Sequence, residues 1–186
     1  MQKILKTGLP IQDFIEEAAM ETAGVNEMTQ YLTFRLDQEI FALDITKVRE
    51  VLDLTTMTKV PRTPDFMRGV INLRGSVVPV VDLRLKFGMS ATESSVNTCI
   101  IITEVQVDSE TVVLGALADA VQEVLDLDAN SIVPPPRIGT KLRTEFIKGM
   151  GRQNDRFIII LDVDKVFSPE ELTTVRQDEA AAGPAA

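Results

Sequence analysis

The heptapeptide VREVLDL at residues 48–54 recurs, with six of its seven residues unchanged, as VQEVLDL at residues 121–127. Two further motifs recur in the same order: FMRG at 66–69 returns as FIKG at 146–149, and VVDL at 80–83 returns as ILDV at 160–163. The spacing is 73 residues for the heptapeptide and 80 for the other two. Such a unit is far too long for a solenoid, so the sequence predicts two related lobes in one body.

The repeat also isolates what the two copies do not share. The stretch NLRG at 72–75 occurs in the first copy, and QND at 153–155 stands at the matching place in the second. One interpretation is a hairpin turn in which Asn or Gly tolerates positive φ and Arg74 is solvated. The other is that Arg74 presents its guanidinium to a carboxylate or backbone carbonyl of a partner.

Composition argues against several classes of function. The chain has no histidine and one cysteine, which removes Ser-His-Asp and Cys-His catalysis, imidazole metal ligands and cysteine-cluster metal sites. The net charge of −9 is a poor match for a nucleic-acid backbone. Carboxylates inside the repeat recur at the ends of elements, where capping uses them. We therefore predict no catalytic, cofactor or metal site, and a reduced cytoplasmic setting without a membrane span.

Short strands separated by Gly and Pro are typical of small barrels, and their number predicts two lobes of about five strands each. The repeated heptapeptide itself is predicted as a short helix. In the first copy Ile45, Val48 and Leu52 take helical spacing after Asp44 as N-cap, and in the second the helix spans 119–125.

Both ends of the chain are predicted to be extensions. Residues 1–28 form a helical arm with an apolar face, whose members are Ile11, Phe14, Ile15 and Ala18. This face either docks weakly on the body of the protein, which we favour, or stays mobile and binds a partner. At the other end, residues 168–186 begin as a helix with Ser168 as N-cap, Pro169 at its first position and Glu171 at its third. That helix is predicted to end near Gln177, before a disordered tail.

The stretch GVINLRGSVVPVVDLR at 69–84 closely resembles the signature of the bacterial chemotaxis coupling proteins, the CheW family. Further matches are ALDI at 42–45 running into Val48-x-Glu50-Val51, Thr63-Pro64 before Phe66, and FIKG at 146–149. The resemblance extends over about residues 29–170.

This resemblance implies a mainly β fold of two intertwined SH3-like five-stranded β-barrel lobes with short helices. The single domain would span 29–167. Its first lobe would take residues 29–75 with a return strand at 150–167, and its second lobe residues 76–149.

The resemblance further implies a non-catalytic adaptor that couples the tips of methyl-accepting chemoreceptors to the regulatory domain of the chemotaxis histidine kinase. A groove between the lobes would take the receptor's helical hairpin, and couplers could alternate with kinase domains in rings. Positions tied to partner contact would be Val48, Glu50 and Arg74, with Val124 in the second lobe. No cofactor, nucleic acid or membrane insertion is implied; array association would come through the partners.

Three alternatives stay open at this point. A coupling protein of a chemosensory-like pathway with a non-flagellar output would have the same sequence features. A small-molecule-binding or enzymatic β-barrel would need a polar pocket at the junction of the lobes. A nucleic-acid-binding protein is opposed by the negative charge and the few aromatic residues.

Overall fold

The computed structural model describes residues 10–20, 28–136 and 143–172. Ten strands in these ranges form two five-stranded sheets, each curled like a half-barrel, which confirms the mainly β, two-lobed prediction. The first sheet has the order β8-β1-β2-β10-β9 and contains β1 (Met28–Leu36), β2 (Glu39–Asp44), β8 (Ala120–Asp128), β9 (Ile147–Gln153) and β10 (Arg156–Leu161). The second has the order β3-β6-β7-β5-β4 and contains β3 (Val48–Asp53), β4 (Met67–Leu73), β5 (Ser76–Asp82), β6 (Cys99–Val107) and β7 (Glu110–Ala118).

The two sheets are built by exchange between the two halves of the chain. Hairpin β6–β7 from the second half lies between β3 and β5 of the first half, and hairpin β1–β2 lies between β8 and β10 in the same way. Each inserted hairpin makes one antiparallel and one parallel pairing. Strand β6 is antiparallel to β3 and β7 is parallel to β5. In the same way, β1 is antiparallel to β8 and β2 is parallel to β10. The repeat found in the sequence is therefore a structural one, and the lobes are intertwined.

The predicted lobe boundaries do not follow the sheets. Strands β3 and β4 lie within 29–75 but belong to the second sheet, and β8 lies within 76–149 but belongs to the first. The reason is the exchange itself. The chain crosses from the first sheet to the second after β2 and returns after β7. The second sheet therefore takes the consecutive strands β3 to β7, and the first takes strands from both sides of that stretch.

The repeated heptapeptide is a strand in both copies, and the prediction of two short helices there was wrong. The helical turn is limited to the 3₁₀ segment Ile45–Lys47, which Asp44 caps by accepting a hydrogen bond from the Thr46 N–H. A β-bulge shifts the register of β3 between Val48 and Glu50, and the β1–β8 pairing shifts in the same way. A bulge places residues three apart on one face, which imitates helical spacing.

Carboxylate and hydroxyl caps fix the elements that follow the strands. The buried Asp82 accepts hydrogen bonds from the Arg84 N–H at the start of α2 (Leu83–Lys86) and from both the N–H and hydroxyl of Thr92. At the C-terminal extension the Ser168 hydroxyl accepts from the Glu171 N–H at 3.2 Å, and the Glu171 carboxylate accepts from the Ser168 N–H at 2.9 Å. This capping box confirms the predicted helix start. The predicted end near Gln177 lies outside the described residues.

The N-terminal arm contains a helix, α1 (Ile11–Met20), as predicted. Ile11 is 2% exposed, and Phe14 and Ile15 pack half-buried against the main core, whereas Asp13, Glu16 and Glu17 are exposed. The helix lies against β3 and the 3₁₀ segment before it. The side chain of Ala18 is outside the described part of the structure.

An aromatic column joins the lobes through the core. Ring centroids lie 6.1 Å apart from Phe34 to Phe41, 5.8 Å from Phe41 to Phe87 and 6.1 Å from Phe87 to Phe146. Phe34 and Phe41 belong to the first sheet, whereas Phe87 follows α2 at the end of the second sheet. Stacking of buried rings at these separations stabilises the junction beyond the area it removes from water.

Gly69 offers a test of how each half-barrel closes. The segment after β3 returns to β4 through paired backbone hydrogen bonds between Thr58 and Val70, and Gly69 beside them has φ 143°. A methyl group at Gly69 would overlap the Thr58 carbonyl, a backbone group. At Gly149, its repeat counterpart, the overlap is with a side-chain methyl of Ile132. We expect Gly69→Ala to lower the free energy of unfolding by about 2 kcal/mol or more, and Gly149→Ala to cost clearly less. Urea denaturation measures both, and equal losses would contradict this account.

Candidate functional site

Arg74 occupies a backbone conformation that its residue type seldom adopts. Arg74 and Gly75 form the two-residue turn between β4 and β5 with φ of 50° and 88°, positive at both positions as the type I′ hairpin turn requires. The Asn72 side chain accepts a hydrogen bond from the Gly75 N–H at 2.8 Å and holds the turn. Positive φ is uncommon outside Gly, Asn and Asp, so an arginine here is a candidate for a functional constraint.

The guanidinium of Arg74 is paired with the carboxylate of Glu50. Nη1 lies 2.7 Å from Oε1 and Nη2 lies 2.9 Å from Oε2, a bidentate arrangement. The Arg74 side chain is 75% exposed and that of Glu50 15%. The hydrogen bond that Arg74 donates to Glu50, and then the negative charge of Glu50, raise the pKa of Arg74 above its ordinary value. Glu50 therefore orients an arginine that is otherwise open to solvent.

The Arg74–Glu50 pair connects the two edge strands of the second sheet. Glu50 lies on the edge strand β3, and Arg74 follows the opposite edge strand β4. Because the sheet is curled, residues from its two edges meet across the opening of the half-barrel. The exposed Val77 (51%), on β5 opposite Asn72, adds an apolar side chain beside this turn.

The second copy repeats the geometry of this site, but its acid is paired with an amide and not with an arginine. Glu123, the counterpart of Glu50, accepts a hydrogen bond of 3.2 Å from the Gln153 amide. The matching turn, Asn154-Asp155, again has positive φ, of 46° and 62°. Asn and Asp adopt this conformation readily, so only in the first copy does an arginine hold it.

The structure separates the remaining two predicted site residues. Val48 lies on β3 but is 3% exposed, in the same core cluster as Ile11 of α1. Val124 lies on β8 of the other sheet, opposite Leu32, and is half-buried. Thus Glu50 and Arg74 are in direct contact, while contact between Val48 and a partner would require this surface to open.

A polar cleft of about 720 Å³ lies between the lobes, the kind of feature that the small-molecule alternative needed. Its walls include Asp37, Arg84 and Asp119. These groups already bond to one another: Arg84 donates to Asp119 at 3.1 Å, and Asp119 accepts from the Asp37 N–H at 2.7 Å. The cleft therefore contains an ion pair between the lobes.

No group of three or more His, Cys, Asp or Glu side chains in the described ranges could hold a metal ion. Nor does any helix described there have the length and apolar character needed to cross a membrane.

Sequence reasoning expected Glu50 and Arg74 to share a surface but missed that they pair. The signal available in the sequence was that both copies retain the acid, as Glu50 and Glu123, whereas only the first copy has an arginine, Arg74, at the turn position. Sequence reasoning also missed that α1 lies over β3, because the arm is outside the repeat.

Comparison with known proteins agrees with this architecture. The family model described as CheW-like domain matches residues 30–171. The chain belongs to the CheW family.

CheW relatives match over most of their length. The chain is 36% identical over 161 residues to "Chemotaxis protein CheW" of Klebsiella aerogenes, covering 87% of this chain and 92% of the relative. It is 35% identical over 142 residues to that of Rhizobium meliloti, covering 76% and 89%. The crystal structure of scaffolding protein TtCheW from Thermoanaerobacter tengcongensis has a TM-score of 0.69 at 35% identity, covering 81% of this chain and 94% of that chain. These similarities support an adaptor role in chemotaxis.

Arg74 should contribute little to the stability of the free protein. An exposed ion pair is weak, so we expect Arg74→Ala to shift the melting temperature by less than about 3 °C. Circular dichroism melts would show this, with Arg152→Ala as the control, because Arg152 forms an exposed pair with Asp155 at the matching turn. A much larger loss for Arg74→Ala alone would make Arg74 a structural residue.

Proposed function

We propose that this CheW-family chain is a non-catalytic adaptor that couples chemoreceptors to the chemotaxis histidine kinase. The partners are the helical hairpin tip of a methyl-accepting chemoreceptor and the regulatory domain of the kinase. Repeated pairing of couplers with regulatory domains would assemble rings in a signalling array. The chain would act in the cytoplasm and reach the membrane through its receptors.

The observation that carries this proposal is the oriented arginine. Arg74 is held in an uncommon backbone conformation, largely exposed, and aimed by the bidentate contact with Glu50. A pre-oriented guanidinium loses little side-chain freedom on binding, so it favours contact with a partner's carboxylate or carbonyl. At the matching turn of the other copy the exposed Arg152 pairs with Asp155, and the counterpart acid Glu123 pairs with Gln153, so an arginine oriented by the repeated acid is found in the first copy.

The surroundings of Arg74 fit a protein partner. The exposed Val77 lies beside the turn, and the carboxylate of Glu50 remains 15% exposed. An apolar contact next to a bidentate charged group is typical of the residues that dominate protein–protein interfaces.

Binding measurements test the role of the pair. We expect Arg74→Ala and Glu50→Ala each to weaken binding of the receptor hairpin or the kinase regulatory domain by about tenfold or more. Glu123→Ala removes the counterpart acid in the second copy and should leave binding nearly unchanged. Calorimetry with each purified partner gives the affinities. Equal effects of Glu50→Ala and Glu123→Ala would contradict the proposed surface.

Exchanging the charges of Glu50 and Arg74 shows whether Arg74 contacts the partner directly or only holds the sheet together. In the double variant Glu50→Arg with Arg74→Glu the internal pair can re-form, but the exposed charge is reversed. If Arg74 itself contacts the partner, the double variant binds as poorly as Arg74→Ala. Recovery of binding would mean that the pair serves only to close the sheet, and the proposed contact would be rejected.

A further inference from the structure

Helix α1 lies outside the matched family domain. The domain model begins at residue 30, whereas α1 ends at Met20. Nevertheless α1 lies on β3, the strand that carries Val48 and Glu50, and on the 3₁₀ segment that precedes it. An element outside the domain therefore covers part of the strand on which the proposed function depends.

The internal repeat shows what this strand looks like without such a cover. In β3, Val48 is 3% exposed and Val51 is 9% exposed. In β8, which has the same sequence at six of seven positions, the counterparts Val121 and Val124 are half-buried. Both strands carry the bulge and both pack against the core. The difference in burial coincides with the presence of α1 on the first copy.

The attachment of α1 is of the kind that can be reversed. The helix has ten residues, too few for a stable isolated helix in water, so its docked face holds it in place. That face contributes the buried Ile11 and the half-buried Phe14 and Ile15. Seven residues connect α1 to β1, a connection that can span up to about 23 Å. An undocked α1 would therefore stay close to the surface it leaves.

We propose that the surface of β3 beneath α1 is a docking site for an amphipathic helix, and that α1 is its resident occupant in the free chain. The partner is a helix with apolar residues at i, i+3 and i+4, the spacing of Ile11, Phe14 and Ile15. Its binding displaces α1 and brings the partner helix into contact with Val48. This inference rests on the proposed function, since it names how a partner helix gains access to the strand that carries Glu50.

The probe for this site is a synthetic, fluorescently labelled peptide of residues 8–21 of this chain. Phe14→Asp in the full-length protein should release α1, because a charged group cannot remain against the core. We expect this variant to bind the peptide about tenfold or more tightly than the wild type, the factor expected if the wild-type surface is open a tenth of the time or less. Gln12→Asp adds the same charge beside the apolar face and should behave as the wild type. Fluorescence anisotropy gives the affinities.

NMR amide shifts locate the peptide. Shifts centred on residues 45–53 support the proposal, whereas shifts elsewhere, or equal affinities of Phe14→Asp and wild type, overturn it. Ile15→Asp is the second variant if Phe14→Asp unfolds. Unfolding of both would show that α1 is part of the core, which also overturns the proposal.

The receptor hairpin then separates this inference from the proposed function. If α1 is a competitor, Phe14→Asp should bind the hairpin more tightly than the wild type by a factor similar to that for the peptide. Equal, measurable binding by the two proteins would mean that α1 is a structural cap, and the competition would be rejected. Absence of hairpin binding by either, with the peptide bound at β3, would instead overturn the proposed function and the competition that rests on it.

Discussion

The fold depends on the insertion of a hairpin from each half of the chain into the sheet of the other half. Hairpin β6–β7 completes a sheet with β3, β5 and β4, and hairpin β1–β2 completes one with β8, β10 and β9. Neither half holds a continuous sheet without the hairpin of the other. Backbone groups of β3 and β5 would lack partners along the facing edges, and unpaired buried backbone groups are costly. The two lobes are thus one cooperative structure, although their sequence reads as a tandem repeat.

The fold could be predicted best from the sequence where a local signal or the internal repeat indicated a structure directly. The repeat indicated two related lobes, and Ser168-Pro169 with Glu171 marked a helix start that the structure contains. The prediction from the sequence failed where long-range strand pairing overrode the local hydrophobic pattern. The valines of VREVLDL are spaced as in a helix, yet they lie in a strand because pairing with β6 and the bulge decide their conformation. The lobe boundaries failed for a related reason, since no local signal shows which hairpin crosses between sheets.

The candidate site shows how a repeat can acquire a single function. Both copies retain the acid, at Glu50 and Glu123, and both retain a tight turn with positive φ. The copies differ in the partner of this acid, which is Arg74 in the first copy and Gln153 in the second. Arg74 stands where the second copy has Asn154, a residue type better suited to that backbone. Family resemblance supplied the site residues, and the structure supplied the bidentate geometry, which depends on the curl of the sheet. That curl brings together two edges of one sheet and could not be inferred from spacing in the sequence.

The exchange of hairpins also delays folding during synthesis, because some strands are made long before the strands they pair with. Hairpin β1–β2 leaves the ribosome early, but its neighbours β8 and β10 are completed only when Leu161 has been added. At ordinary elongation rates of about 5 to 20 residues per second, the apolar side chains of this hairpin wait roughly 5 to 25 s for their native partners. Phe34 and Phe41, fully buried in the native state, are without their final cover during that interval. The cellular machinery that protects nascent chains would therefore meet this protein mainly through its first two strands.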